Sequence, residues 1–224
     1  MDTSLEDRRG TARCAAAPSN TSISIERFVK QNGVAPDTET VKDSTLLYLV
    51  RHCQTTGQAP DAPLTALGHA QAQQLAAHLA ACGIARIVSS PYLRARQSVE
   101  PLASVIGVAV ETDDRLVERV LSTEPLDNWR ASLLATWDDR DLILPGGESS
   151  RQATARGLAA VEAVLAAGPE PTAVVSHGNL ISLLLHAFDG RPGFATWEAL
   201  TNPDLFEVAR SSGGTWTVTR TWKP

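Results

Sequence analysis

The chain predicts a three-layer α/β domain: a mainly parallel sheet with helices on both faces. Three features carry that expectation. Short apolar runs alternate with helix-length periodic segments from Leu46 to Phe188. The first run, LLYLV, is apolar at every position, as in a strand covered on both sides. Polar clusters follow the strand-like runs, at 51–57, 89–91 and 176–178, which is where ligand-binding loops of such sheets lie.

In chain order, the first 43 residues are rich in Ser, Thr, Asp and Arg without sustained periodicity. They read as a poorly ordered extension carrying at most one short helix, or as an over-long gene start. The domain is expected over 44–224. After the first strand, Thr65 can cap a helix to about Cys82, with Leu67, Leu75 and Leu79 on one stripe and Gly83 as its stop. A second strand is expected over Ala85 to Val88, a helix from Tyr92 to about Ile106, and a third strand at Val108-Ala109-Val110.

The segment at about 119–147 holds Trp129, Trp137 and many charges, and reads as a short, partly helical lid insertion. The tryptophans could wall a substrate pocket or pack the lid itself. Pro145-Gly146-Gly147 breaks the segment as a turn, and Ser149 or Ser150 can start an alanine-rich helix to Ala167. A fourth strand, Thr172 to Val175, feeds a helix from Asn179 to Phe188. The tail reads as a hairpin around Gly213-Gly214.

Composition narrows the function. A net charge of −5, with acids and bases mixed, lacks the clustered basic face that nucleic acid requires. No apolar run approaches the roughly 18 residues of a membrane span, and the N-terminus has no hydrophobic signal segment. Three scattered cysteines give neither a disulfide framework nor a zinc-finger spacing. The expectation is a cytoplasmic protein whose partner is a small phosphorylated metabolite, with no nucleic acid and no membrane.

Two of the expected strands end in histidine, LVRH at His52 and VVSH at His177, and SSPYLR presents Arg94 after a third. Parallel strands put their carboxyl ends on one edge, so these residues can converge. Two guanidinium forks and two imidazoles make a pocket for a dianionic phosphoryl group. A neutral imidazole there can attack phosphorus, and the adjacent cations Arg51 and Arg94 would keep it neutral.

At this point the chain resembles the histidine phosphatase superfamily (phosphoglycerate mutase-like), in its phosphatase branch. The first motif is matched by Arg51-His52-Cys53-Gln54-Thr55-Thr56-Gly57-Gln58, with Cys53 where glycine is usual and Gln58 where asparagine is. PLTALGHAQAQQLAAHL (63–79), SSPYLRARQS (89–98), PGGES (145–149) and VVSHGNLI (174–181) follow in register. The resemblance implies that His52 is the phosphorylated nucleophile and that Arg51, Arg94 and His177 bind the phosphoryl oxygens. It implies that Glu118, in RLVER, is the proton donor, and that Thr55, Gln58 and Gly178 line the phosphate site. No metal or cofactor is implied. A phosphatase is expected, since only some 25 residues separate Glu118 from Pro145 and mutases of the family usually carry a longer, basic insertion. The rivals are a phosphoglycerate-mutase-type isomerase, a catalytically silent phosphate-binding module and a metallohydrolase using His52 and His177. His69 and His78 read as surface residues, and His186 as structural.

Overall fold

The computed structural model describes residues 45–168 and 171–222. The expected N-terminal extension lies outside the described residues. Strands β1 (Thr45–Arg51), β2 (Arg86–Ser89), β3 (Val110–Thr112), β4 (Thr172–Ser176), β5 (Asp204–Arg210) and β6 (Trp216–Arg220) form one sheet in the order β3-β2-β4-β1-β5-β6. Its first four members run parallel, and β5 and β6 are antiparallel additions at the other edge. The helices are α1 (Ala66–Ala80), α2 (Leu93–Ile106), α3 (Trp129–Asp138), α4 (Ser150–Ala166), α5 (Gly178–Asp189) and α6 (Gly193–Ala199).

The alternation of side chains along β1 builds three layers. Tyr48 and Val50 face a core shared with Ala72, Leu75 and Leu79 of α1 and Val99 and Leu102 of α2. Leu47 and Leu49 face the opposite core, with Ala160 and Val161 of α4 and Leu180, Leu183 and Leu184 of α5. Successive strand residues point to opposite faces, so an all-apolar run is the signature of a strand with helices on both sides. Each such fully buried aliphatic side chain stabilises the fold by roughly 1.5–3 kcal/mol relative to exposure.

Local signals set several boundaries. The Thr65 hydroxyl accepts from Gly68 N at the start of α1. Ser149 and Gln152 form a reciprocal capping box at the start of α4. Gly146, at φ +67, makes the turn just before it. Leu67 is 54% exposed and stands off the buried stripe of α1, which consists of Gly68, Ala72, Leu75, Ala76 and Leu79. Small residues let α1 lie close to α2, and they carry little hydropathy to advertise it. The helix also stops at Ala80, ahead of Gly83. The third strand is displaced by two residues to Val110–Thr112, because β3 takes its register from β2, pairing Ile87 with Val110. Helix α6 had no counterpart in the sequence reading: at seven residues it is too short to show a period. No helix among the described residues is long and apolar enough to cross a membrane.

Candidate active site

The register of the parallel strands assembles the site. Arg51 pairs with Ser176 and Ser89 with Val175. The pairing continues one step past the strands, with His52 N donating to Ser176 O (3.1 Å) and Ser90 N donating to Val175 O (2.9 Å). His52, Ser90 and His177 are thereby neighbours at one sheet edge. The rings of His52 and His177 meet edge-on at 5.1 Å, and Tyr92 meets His177 at the same distance.

His52 is 5% exposed. Its Nδ1 lies 2.7 Å from the Cys53 carbonyl oxygen. A carbonyl can only accept, so Nδ1 carries the hydrogen and Nε2 the lone pair. Asn202 Nδ2 is 3.5 Å from the same Nδ1, a donor facing a donor, and its hydrogen goes instead to His52 O at 2.7 Å. Burial pushes the His52 pKa down to about 3, and the Arg94 and Arg51 charges push the same way against the Cys53 hydrogen bond. His177 is held well below the usual histidine value, by burial first and then by His52 and the two arginines. Both rings are neutral near pH 7.

The cations are aimed by their own hydrogen bonds. Arg51 Nη1 donates to Leu200 O and Thr201 O, and Arg94 Nη1 to Gln58 O and Ala59 O. The Arg94 guanidinium stands 4.9 Å from the Tyr92 ring centroid. Each arginine keeps a buried Nε with no partner. The same holds for His177 Nδ1, while its Nε2 meets Ser90 Oγ at 2.8 Å, and for Asn179 Oδ1. A buried polar atom without a partner costs about 1–3 kcal/mol, so this cluster of them marks a place shaped for a polar ligand. Gly178 belongs to this geometry: a Cβ there would stand 3.1 Å from Arg51 Cζ, so only glycine lets the guanidinium lie against the start of α5 without displacement.

Glu118 is carried in by a different route. Ser176 Oγ donates to Leu116 O, and Arg156 Nη1 donates to Arg115 O and Val117 O while its guanidinium pairs with Glu148. These ties fix the segment before Glu118. Its carboxylate accepts from Arg119 N (2.9 Å), Leu180 N (3.1 Å) and Asn179 N (3.2 Å), at the N-terminus of α5. Its charge acts on both Arg51 and Arg94.

A cavity of about 550 Å³ adjoins this cluster, with Arg51, Arg94, Glu118, Gly178, Asn179, Tyr92 and Gln58 among its lining residues; the buried rings of His52 and His177 are not among them. Gln58 is exposed, and its backbone carbonyl holds Arg94. Thr55 stands apart: its hydroxyl donates to Gly57 O and Pro63 O, closing the loop on itself, and it does not line the cavity. Cys53 is buried, its N–H donates to Ser98 Oγ, and burial pushes its thiol up to about 11, away from a reactive thiolate. Of the tryptophans, Trp129 lines the cavity and Trp137 packs on Gly193 and His186.

Several participants escaped the sequence reading. Tyr92 and Ser90 sit inside a quoted motif, yet their contacts to His177 depend on β2 lying beside β4. Asn202 is some 150 residues from His52, and no local pattern marks it. Arg119 is 5% exposed and donates to Glu148 O, Thr136 Oγ1 and Ser150 Oγ, tying the segment after Glu118 to α3 and α4. In sequence it is one charge among many.

The neutral histidines have a consequence for stability. Between pH 6.5 and about 3 the unfolded chain protonates His52 and the native state does not. Stability from this group is therefore complete above pH 6.5 and is lost as pH falls toward 3, by a few kcal/mol. Denaturant unfolding at pH 7 and pH 5 should show the loss, and His52→Asn should reduce the slope by about one proton. An unchanged slope in the variant would mean that the ring titrates freely.

The chain and its fold are similar to those of known proteins. Residues 47–222 match the histidine phosphatase superfamily (branch 1). The probable phosphoglycerate mutase GpmB of Shigella dysenteriae is 36% identical, over 66% of this chain and 77% of its own length. The fold superposes on mycobacterial glucosyl-3-phosphoglycerate phosphatase with a TM-score of 0.67, at 28% identity, covering 79% of this chain and 98% of that one. Bacillus stearothermophilus YhfR gives 0.65 at 26% identity, covering 79% and 96%. By motif order, fold and site geometry together, this chain is a member of the histidine phosphatase superfamily.

Proposed function

We propose that the protein is a metal-independent phosphatase that hydrolyses small phosphomonoesters through a phosphohistidine at His52. The observation that carries this reading is a buried neutral imidazole, hydrogen-bonded at Nδ1 to Cys53 O, beside two arginines with unpartnered Nε atoms. The Nε2 lone pair attacks phosphorus as the ester P–O bond breaks. Arg51, Arg94 and His177 Nδ1 donate to the phosphoryl oxygens, with the Ser90 hydroxyl donating to His177 Nε2 so that Nδ1 carries the hydrogen. Preorganised donors of this kind act on the charge of the transition state without reorganising. Glu118 gives its proton to the departing alkoxide, then accepts one from the water that attacks the phosphohistidine. Inorganic phosphate leaves and His52 is restored.

A soluble, cytoplasmic setting and a small phosphorylated metabolite as partner belong to the same reading, since the site is a cavity with a few arginines and not an extended basic face. The relatives include proteins named as mutases and as phosphatases. Hydrolysis is favoured because, among the described residues lining the cavity, Arg119 is the one cation beyond the phosphoryl floor, and its guanidinium is spent on Glu148, Thr136 and Ser150. A mutase needs a cation for the second acidic group of its substrate.

Product analysis tests this directly. With 3-phosphoglycerate and a bisphosphorylated primer, free phosphate should accumulate with little 2-phosphoglycerate. Efficient interconversion without phosphate release would establish the isomerase instead.

A further inference from the structure

Besides its arginines, the cavity is lined by an apolar set unlike its cationic floor. That set is Val120, Leu121, Leu133, Trp129 and Trp197, with Ser122 as a polar neighbour. Trp129 is 51% exposed, and its ring meets Trp197 edge-on at 5.7 Å. That arrangement is not core packing: the half-exposed Trp129 ring offers apolar surface to the cavity. Trp197 is fixed from behind, with Phe194 tilted against it at 5.5 Å and the Arg130 guanidinium 5.9 Å from its centroid. Arg130 is paired with Glu198 and does not line the cavity. The charged members of the lining are Arg51, Arg94, Glu118 and Arg119.

Two physical consequences follow. An aromatic or aliphatic alcohol moiety is desolvated against rigid apolar surface, which favours binding. A second carboxylate or phosphate on that moiety meets no free cation, because the Arg119 guanidinium is already engaged with Glu148 O, Thr136 and Ser150, so it loses hydration without compensation. We infer that the preferred substrates are phosphomonoesters of apolar, especially aromatic, alcohols that carry no second anionic group. Trp129 and Trp197 are the residues that set this preference. The inference rests on the hydrolytic reading above and narrows its substrate class.

The test uses alkyl monoesters, so that leaving-group basicity is similar across the series: 2-phenylethyl phosphate, glycerol 3-phosphate and 3-phosphoglycerate. In the intact chain, kcat/KM should be roughly tenfold or more higher for 2-phenylethyl phosphate than for either of the others. Trp129→Ala and Trp197→Ala should each lower that ratio several-fold, mainly through KM. Trp129→Leu, which keeps apolar surface, should fall between, and it guards against a misfolded alanine variant. Inhibition by inorganic phosphate, measured in every variant, reports the arginine floor separately.

A ratio near one, or a preference for 3-phosphoglycerate, would overturn this inference while leaving hydrolysis intact. A preference that survives both alanine variants would overturn the assignment to the tryptophans. Absence of phosphate release from all three esters, with no trappable phosphoenzyme, would remove the hydrolytic reading itself.

Discussion

Replacing His52 with alanine should abolish turnover and with it any phosphoenzyme. The expected loss in kcat is on the order of 10⁴-fold or more, because the covalent route disappears and no second nucleophile stands ready. His177 is the nearest candidate, but its Nε2 is engaged with Ser90 Oγ, and its Nδ1 then carries the hydrogen and has no lone pair to attack with. Truncation leaves the arginine floor in place, so the variant should still bind inorganic phosphate. That separates loss of the nucleophile from loss of the pocket. In the intact protein, a quench during turnover should trap phosphate on the chain in a form that acid releases and base spares, as a phosphoramidate requires. An acid-stable phosphoenzyme, or substantial activity in the variant, would place the chemistry on another residue.

The second large effect concerns Glu118, whose carboxylate is held by three backbone N–H groups at the start of α5. Oε1 accepts two of these and Oε2 one, which leaves Oε2 with room to meet a leaving oxygen in the cavity. An alkoxide is a poor leaving group, and general acid help should contribute on the order of 10²–10⁴-fold. A nitrophenolate leaves readily without a proton. Glu118→Gln keeps the side-chain size, so hydrolysis of an alkyl phosphate should collapse while p-nitrophenyl phosphate is largely spared. The amide also offers an N–H where a carboxylate oxygen accepted, so some distortion at Asn179 and Leu180 is expected. Distortion would slow both substrates alike. Equal losses would therefore assign Glu118 to positioning, and no loss would send the search to Asp114 or Glu124.

Much of this protein was determined by sequence alone. The unbroken apolar run in β1 dictated a strand with helices on both faces, because alternate residues point to opposite sides of a sheet. The alternation of strands with helices dictated parallel pairing, and parallel pairing gathers strand ends on one edge. His52, Arg51, Arg94 and His177 were legible for that reason: each ends a strand, follows one directly or stands in the first turn of the helix after it. Capping by Thr65 and Ser149 was legible because caps are local.

Tertiary structure alone decided the rest, and distance along the chain is the common cause. The N–H that Asn202 donates to His52 O, the carbonyls of Leu200 and Thr201 that hold Arg51, and the helix terminus that holds Glu118 come from segments 61 to 150 residues away. No local periodicity encodes such contacts. Thr55 lay within the motif, yet its hydroxyl meets Gly57 O and Pro63 O inside its own loop, a local closure that the motif does not encode. The two tryptophans looked equivalent in sequence. Packing separated them: Trp137 closes against Gly193, where a Cβ would collide with the ring, while Trp129, eight residues earlier on the same helix, is left facing the cavity.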